Sequence, residues 1–379
     1  MVKFEKGSHI YTIFTLIAVV GEFPSASLTL FMPYPTAKKN VQLWSKRQEV
    51  VGDNGEILKN CRLFSIVGDG KRRRIRIHSS AYKVLEWIGM YDYYNENFIE
   101  KRFPSQTEYV ERRFREAEAM AVFFKAGYEI RPYILPKLQV NERIQRKLNG
   151  AVLYSSYHVK RAKTILFNTT IRSSKITNLL ITHDEAYAVY NLRKYPLEKA
   201  MKGELKTKLF ISNVLDLNYK ISKMDNAMFV GKNYSVALKT LENFEKKSKR
   251  ALRLDDVFLN VFFVPYTDFG VKLARLFRIK NYRTEILRLV FRDDFEREDE
   301  SMTTYSVYKN GRYYFSFLDS NIAKLMRFKD FISKETGNYF VACYEEQEEF
   351  VREYMGERAK IMKVKIDEVH RFFFGDERK

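Results

Sequence analysis

Residues 62–77 read RLFSIVGDGKRRRIRI, and the reading of this stretch decides the fold of the N-terminal part of the chain. Its flanks, 62–67 and 72–77, are rich in β-branched and aromatic residues, which suit a pleated, half-buried surface. Between them Gly68-Asp69-Gly70 carries the Asp-Gly pair that two-stranded hairpins favour. The stretch therefore reads as a β-hairpin. Its return strand holds Lys71, Arg72, Arg73, Arg74 and Arg76, cations that repel one another unless a polyanion neutralises them. A wing gripping nucleic-acid phosphate fits that density, although a solvated charge run is the commoner meaning of such a segment taken alone.

Upstream, Ile10, Ile13, Phe14, Ile17 and Val20 recur at helical spacing, with Gly21 and Pro24 closing the run. A short second helix is expected over 25–31, stopped by Pro33 and Pro35. Thr36 then stands as the N-cap of a third helix, AKKNVQLWSKRQEV. Val41 and Trp44 fall on one side of that helix, which leaves Lys38, Lys39, Asn40, Lys46 and Arg47 for solvent or a groove. After the hairpin, Ser79 or Ser80 caps a closing helix with Tyr82, Leu85, Trp87 and Ile88. Three helices, a basic hairpin and a closing helix spell a winged helix-turn-helix, in which the third helix enters the major groove of duplex DNA. Residues 1–90 contain 14 Lys and Arg against 7 Asp and Glu, a difference of +7.

The whole chain of 379 residues is long enough for two or three domains, and 45% hydrophobic residues make it globular. A formal net charge of +20 points to a polyanionic partner; a basic total by itself also suits a membrane surface. Cys61 and Cys343 are too few and too far apart for a disulfide framework or a CxxC metal site, so a reducing cytoplasm is the expected compartment. The apolar run 10–20, about eleven residues, is too short to span a bilayer.

Downstream, SQTEYVERRFREAEAMAVFFKAG spells a helix with Val110, Phe114, Ala117, Met120, Ala121 and Phe124 on its apolar face, read as a bridge between domains. Residues 128–175 pattern weakly around Pro132 and Pro136, with a short apolar strand near 151–154. From 176 onward strands and helices alternate. Two strands flank His183-Asp184-Glu185, a helix covers 196–214, strands at 227–230 and 257–264 each precede a helix, and Asn310-Gly311 turns a hairpin after an acidic run at 292–301. The expected organisation is a winged-helix domain over 1–103, a helical bridge and irregular segment over 104–175, and an α/β domain over 176–379 with a mostly parallel sheet.

The chemistry is sparse. The five histidines include no HxH pair, and neither GxxxxGK[ST] nor GxGxxG occurs, so nucleotide hydrolysis and dinucleotide binding have no sequence basis. Carboxylates remain. Asp184 and Glu185 at a hairpin tip, with Glu204 and Lys206 as an acid-x-Lys pair, are the candidates to hold Mg2+ or Mn2+ and orient water for phosphodiester cleavage. A solvated turn and an ordinary helix surface are the bland reading of the same residues.

The opening HIYTIFTLIAVVGEFPSASLTLF, followed by TTIRSSKITNLLITHDEAYAVYN, AMFVGKNYSVALKTLENF, NVFFVPYTDFGVKLARLF and NYFVACYEEQEEFVREY, resembles the replication-relaxation proteins of Gram-positive plasmids and integrative elements. Those proteins are similar to MobC-type mobilisation relaxases. The resemblance rests on order and texture over most of the chain. It implies a winged helix joined to a restriction-endonuclease-like domain that acts at an origin of transfer or replication, with Asp184, Glu185 and Glu204 as the counterparts of the family's acidic set. Duplex DNA is the implied partner, together with a second copy of the chain or other mobilisation or replication proteins, and no membrane. The alternative is a non-enzymatic initiator or regulator whose α/β domain serves oligomerisation or docking.

Overall fold

The computed structural model describes residues 1–100, 106–129, 151–155, 159, 175–182, 185–197, 202–219, 221, 223–246, 254–292 and 304–375. The chain divides into two compact units, Met1–Leu135 with Leu153–Val159, and Pro136–Val152 with Lys160–Lys379. Both combine helices with small sheets, so the fold class is mixed α/β.

In the first unit β1 (Val2–Phe4) leads into α1 (His9–Val20). Ser8 caps α1 by accepting the Tyr11 N–H at 3.3 Å, and Gly21 closes it at φ 80°, a conformation glycine adopts without strain. Ile13, Phe14, Leu16 and Ile17 are fully buried. Then come β2 (Glu22–Pro24), a 3-10 turn at Ser25–Leu30 and α2 (Tyr34–Trp44). Here the structure corrects the expected helices. The second is a 3-10 segment. The third starts before Thr36, because Pro33 occupies the N-cap and Pro35 sits in the first turn, where a missing N–H costs nothing. It also ends at Trp44, which leaves Lys46 and Arg47 beyond it.

Residues expected to prolong that helix instead form β3 (Gln48–Gly52), parallel to β1 and antiparallel to β4 (Ile57–Cys61), with Asn54-Gly55 in the turn between them. β5 (Phe64–Val67) and β6 (Arg74–Ile77) make the anticipated hairpin, in register from Phe64↔Ile77 to Val67↔Arg74, and β2 lies antiparallel along the other edge of β6. The chain continues through α3 (Tyr82–Trp87) and α4 (Tyr91–Tyr94) to α5 (Thr107–Lys125). The expected bridge helix, α5, packs on α1 and β2, and its Val110, Phe114, Ala117, Met120 and Ala121 are buried. A short strand, β7 (Val152–Ser155), stands in the weakly patterned stretch. Most of 128–175, His183, Asp184 and nearly all of the acidic run 292–301 lie outside the described residues.

The second unit repeats one topology twice. In its first half β8 (Asn178–Thr182) is antiparallel to β9 (Glu185–Arg193), and β9, β10 (Asn226–Gly231) and β11 (Asn260–Pro265) are parallel neighbours. Between and after these strands come α6 (Lys202–Tyr219), α7 (Tyr234–Glu245), α8 (Leu254–Val257), α9 (Asp268–Leu276) and α10 (Tyr282–Phe291). In the second half β12 (Val307–Lys309) is antiparallel to β13 (Arg312–Ser316), with parallel β14 (Asn338–Tyr344) and β15 (Ala359–Val364) beyond it. The corresponding helices are α11 (Ile322–Ile332), α12 (Glu348–Met355) and α13 (Ile366–Phe374). Asn310 and Gly311 turn the second hairpin at φ 53° and 70°, the left-handed pair of a type I′ turn.

Equivalent helices of the two halves pack against each other, α7 on α12 and α9 on α13. Between the halves runs a ladder of buried amides: Asn260 Nδ2 donates to Asn226 Oδ1 and Asn321 Nδ2 to Asn260 Oδ1, each at 2.9 Å. Asn321 Oδ1 also accepts the N–H groups of Val261 and Lys324 at 3.2 and 3.1 Å, so one side chain satisfies a strand edge and caps α11.

Candidate nucleic-acid interface

The basic run on the hairpin is two groups of residues with different fates. Glu22, at the start of β2, is fully buried. Its Oε2 accepts Arg74 Nε at 2.9 Å and pairs with Arg76 at 2.7 Å, while its Oε1 accepts Arg113 Nε from α5 at 2.7 Å. Burying a carboxylate is costly unless charged donors surround it, and three guanidiniums do so here. Register explains the meeting, since Glu22 stands opposite Arg76 and Pro24 opposite Arg74. Arg74 and Arg76 thus share a buried counter-ion within the fold, which separates them from the rest of the five cations. Lys71 and Arg72 are exposed and Arg73 half-buried, in the 3-10 turn and bend that join β5 to β6. None of the three makes an ion pair with a described carboxylate.

On α2, Ala37, Val41 and Trp44 are buried, while Lys38 and Lys39 are exposed in its first half. Asn40 is half-buried, and its Nδ2 reaches Met32 Sδ at 3.4 Å, a weak acceptor that leaves the amide available for a better one. Lys46 and Arg47 are exposed past the helix end.

Arg47 belongs to a cluster that the sequence reading missed. The Arg62 backbone N–H donates to Ser80 Oγ at 2.9 Å, Ser80 Oγ returns a bond to Arg62 O at 3.1 Å, and His78 Nδ1 accepts the Ser80 N–H at 3.1 Å. Burial, then the charges of Arg62 and Arg47, hold the His78 imidazolium below its ordinary pKa. Arg62 Nε is buried without a hydrogen-bond partner. Two guanidiniums and an imidazole with no described counter-ion form a site of concentrated positive potential. The sequence signal is faint, since Arg47, Arg62 and His78 lie on three different segments.

In the second unit the described candidate carboxylates, Glu185 and Glu204, have partners within the fold. Glu185, at the start of β9, is paired with Arg283 and accepts the Tyr187 hydroxyl. It lines a cleft of about 90 Å³ with Thr182, Tyr282 and Arg283. Glu204 on α6 is buried, accepting the Tyr190 hydroxyl at 2.7 Å and the Lys175 N–H at 2.8 Å. Lys206, two residues on, is exposed, because positions i and i+2 of a helix do not face each other. Asp184 lies outside the described residues. Among the described residues no three His, Cys, Asp or Glu side chains gather as metal ligands, and no helix is long and apolar enough to cross a membrane.

Compared with known proteins, the chain matches no family model, no curated protein and no solved structure.

Proposed function

We propose that the first unit is a winged helix-turn-helix that binds double-stranded DNA, with α2 in the major groove and the 68–73 tip along the phosphate backbone. One observation carries this reading. β2, which stands between α1 and the 3-10 turn, joins β6 so that the sheet runs β2-β6-β5, with α2 preceding the hairpin in the chain. That is the order of the motif, with the β3–β4 hairpin as an insertion. The unpaired Lys38, Lys39, Lys46, Arg47, Lys71, Arg72 and Arg73 supply the charge, and Asn40 is the candidate for a base edge.

The resemblance to replication-relaxation proteins extends the proposal to origin DNA of a plasmid or integrative element. Mobilisation or replication proteins and a second copy of the chain are the candidate partners, and the cytoplasm is the compartment. For the second unit we favour a non-enzymatic role over a restriction-endonuclease-like nickase using Mg2+ or Mn2+. A hard cation needs carboxylate oxygens turned toward it, whereas Glu185 is held by Arg283 and Glu204 by Tyr190 and Lys175. The test is a mobility-shift titration of the full chain against duplex DNA over a range of salt. The expected result is tight binding whose logarithm falls linearly with log salt, by about 0.9 per phosphate contacted. Binding that is absent at low salt would overturn the reading.

A further inference from the structure

The strands of the two half-sheets are buried differently. In β10 and β11 every residue is buried, so both faces of the first half-sheet are covered. On the second half-sheet one face is covered throughout, and the other only toward the C-terminal ends of the strands, where Ala342 and Tyr344 are fully buried. Tyr313, Phe315 and Tyr339 turn toward α11, where Phe315 stacks on Phe328 at 4.9 Å and Tyr339 meets Phe331 at 6.0 Å. Successive side chains of a strand point to opposite faces, so Arg312, Tyr314, Phe340 and Lys360 stand together on the other one. There Tyr314, met edge-on by Phe291 of α10 at 5.5 Å, and Phe340 are half-buried, and Arg312 and Lys360 are exposed.

What stands at this less covered end is unusual for a solvated sheet. Tyr314 stacks on Phe340 across β13 and β14, with centroids 5.0 Å apart and rings 24° from parallel. Arg312 Cζ and Lys360 Nζ each lie 5.7 Å from the Phe340 centroid. Neither cation has an ion pair with any described carboxylate, and no Asp or Glu occupies a position on this face of β13, β14 or β15. Aromatic rings on a sheet, flanked by cations and with no acid on the same face of the described strands, suit a ligand that offers flat bases and phosphates together. A duplex hides its bases in stacks; a single strand does not.

We propose that the N-terminal end of this face of β13–β15 is a binding platform for single-stranded DNA, with a base stacking on Phe340 beside Tyr314 and the adjacent phosphates held by Arg312 and Lys360. A cation over a ring in water is worth about two- to fivefold in affinity, whereas a stacked base is worth about five- to a hundredfold. Exchanging the cation heads for a base, while those heads move onto phosphate, is therefore favourable. The choice of DNA over RNA rests on the duplex-binding reading of the first unit; the stacking face stands without it.

The test is fluorescence polarisation of the full chain with a labelled dT oligomer of about twelve nucleotides, a length within the site sizes of single-strand binders. A rU oligomer and a random duplex are the comparison ligands. Phe340→Leu keeps the apolar area and removes the π face. It should weaken dT binding about fivefold or more while leaving duplex binding unchanged. Arg312→Gln with Lys360→Gln should lower the single-strand salt slope by about 0.7 for each phosphate released from the face. That exposed pair decides the matter by itself if circular dichroism shows Phe340→Leu to be unfolded. The proposal is overturned by wild-type affinity and slope in these variants, by equal losses on duplex and dT, or by tighter binding of rU than of dT. Failure of duplex binding with dT binding still dependent on Phe340 would overturn only the reading of the first unit.

Discussion

Arg113 Nε lies 2.7 Å from Glu22 Oε1, an ion pair that closes a loop of 91 residues and ties α5 to the strand beside the hairpin. The same carboxylate also holds Arg74 and Arg76, so three guanidiniums converge on one buried anion. Removing its charge takes that buried partner from all three. Glu22→Gln should lower the unfolding free energy by about 3–5 kcal/mol, the usual cost of leaving buried charge uncompensated. Urea denaturation measures this, and a loss below about 1 kcal/mol would mean that the arginines turn out to solvent at little cost.

Because Glu22 claims Arg74 and Arg76, the two halves of the basic run should respond differently to substitution. Replacing Lys71, Arg72 and Arg73 with Ala should leave stability within about 0.5 kcal/mol and flatten the salt dependence of duplex binding by about 0.9 for each phosphate no longer neutralised. Arg74→Ala should instead lower stability through the Glu22 cluster. A tip variant with an unchanged salt slope removes the tip from the interface.

How much of the fold is legible in the sequence follows the distance over which each element is determined. The spacing of Ile10, Ile13, Phe14 and Ile17 with a closing Gly21 is local, and α1 runs where they put it. The 62–77 hairpin and the Asn310-Gly311 turn are local too. The fate of Arg74 is not, because its partner Glu22 lies 52 residues earlier in a three-residue strand ending in proline. β1 is hidden likewise, since Val2–Phe4 becomes a strand only by lying beside β3. Asn54-Gly55 does carry a hairpin signal, but it stands just after a helical pattern strong enough to mask the strand before it. The doubled topology of the second unit escapes a search for fixed periods because equivalent strands draw closer along the chain, from Asn178 and Val307 to Asn260 and Ala359. For the candidate site, the cations of α2 and the hairpin are legible by type, whereas the burial of Glu204 and the joining of Arg47, Arg62 and His78 depend on tertiary packing.

That last cluster predicts a pH dependence. Burial, then Arg62 and Arg47, lowers the pKa of His78, so below about pH 6.5, the unperturbed value, the unfolded chain binds the proton more readily and stability falls. Phosphate docked on Arg47 and Arg62 cancels their repulsion and favours the imidazolium. Duplex affinity should therefore rise as pH falls through the window between the lowered pKa of the free protein and the higher one of the complex. His78→Gln should flatten the profile while leaving affinity at about pH 8 unchanged, where the imidazole is neutral in both states. An equally steep profile in that variant would assign the effect to another group.

Glu204 offers the sharpest separation between a structural acid and a metal ligand. Its two oxygens accept the Tyr190 hydroxyl and the Lys175 N–H, and Tyr190 is fully buried, its pKa raised by burial first and then by the nearby carboxylate. Tyr190→Phe removes the donor without opening a cavity. It should cost about 1–3 kcal/mol, because one Glu204 oxygen loses a partner where water does not replace it. A catalytic acid behaves otherwise: it is poorly satisfied without its cation, and binding of that cation to the folded state raises Tm by mass action. Thermal unfolding with and without millimolar Mg2+ or Mn2+ distinguishes the two. The expected outcome is an unchanged Tm in the wild type and a lowered, metal-insensitive Tm in both Tyr190→Phe and Glu204→Gln. A divalent-dependent rise in the wild type that disappears in Glu204→Gln would make Glu204 a metal ligand after all and reopen the nickase reading.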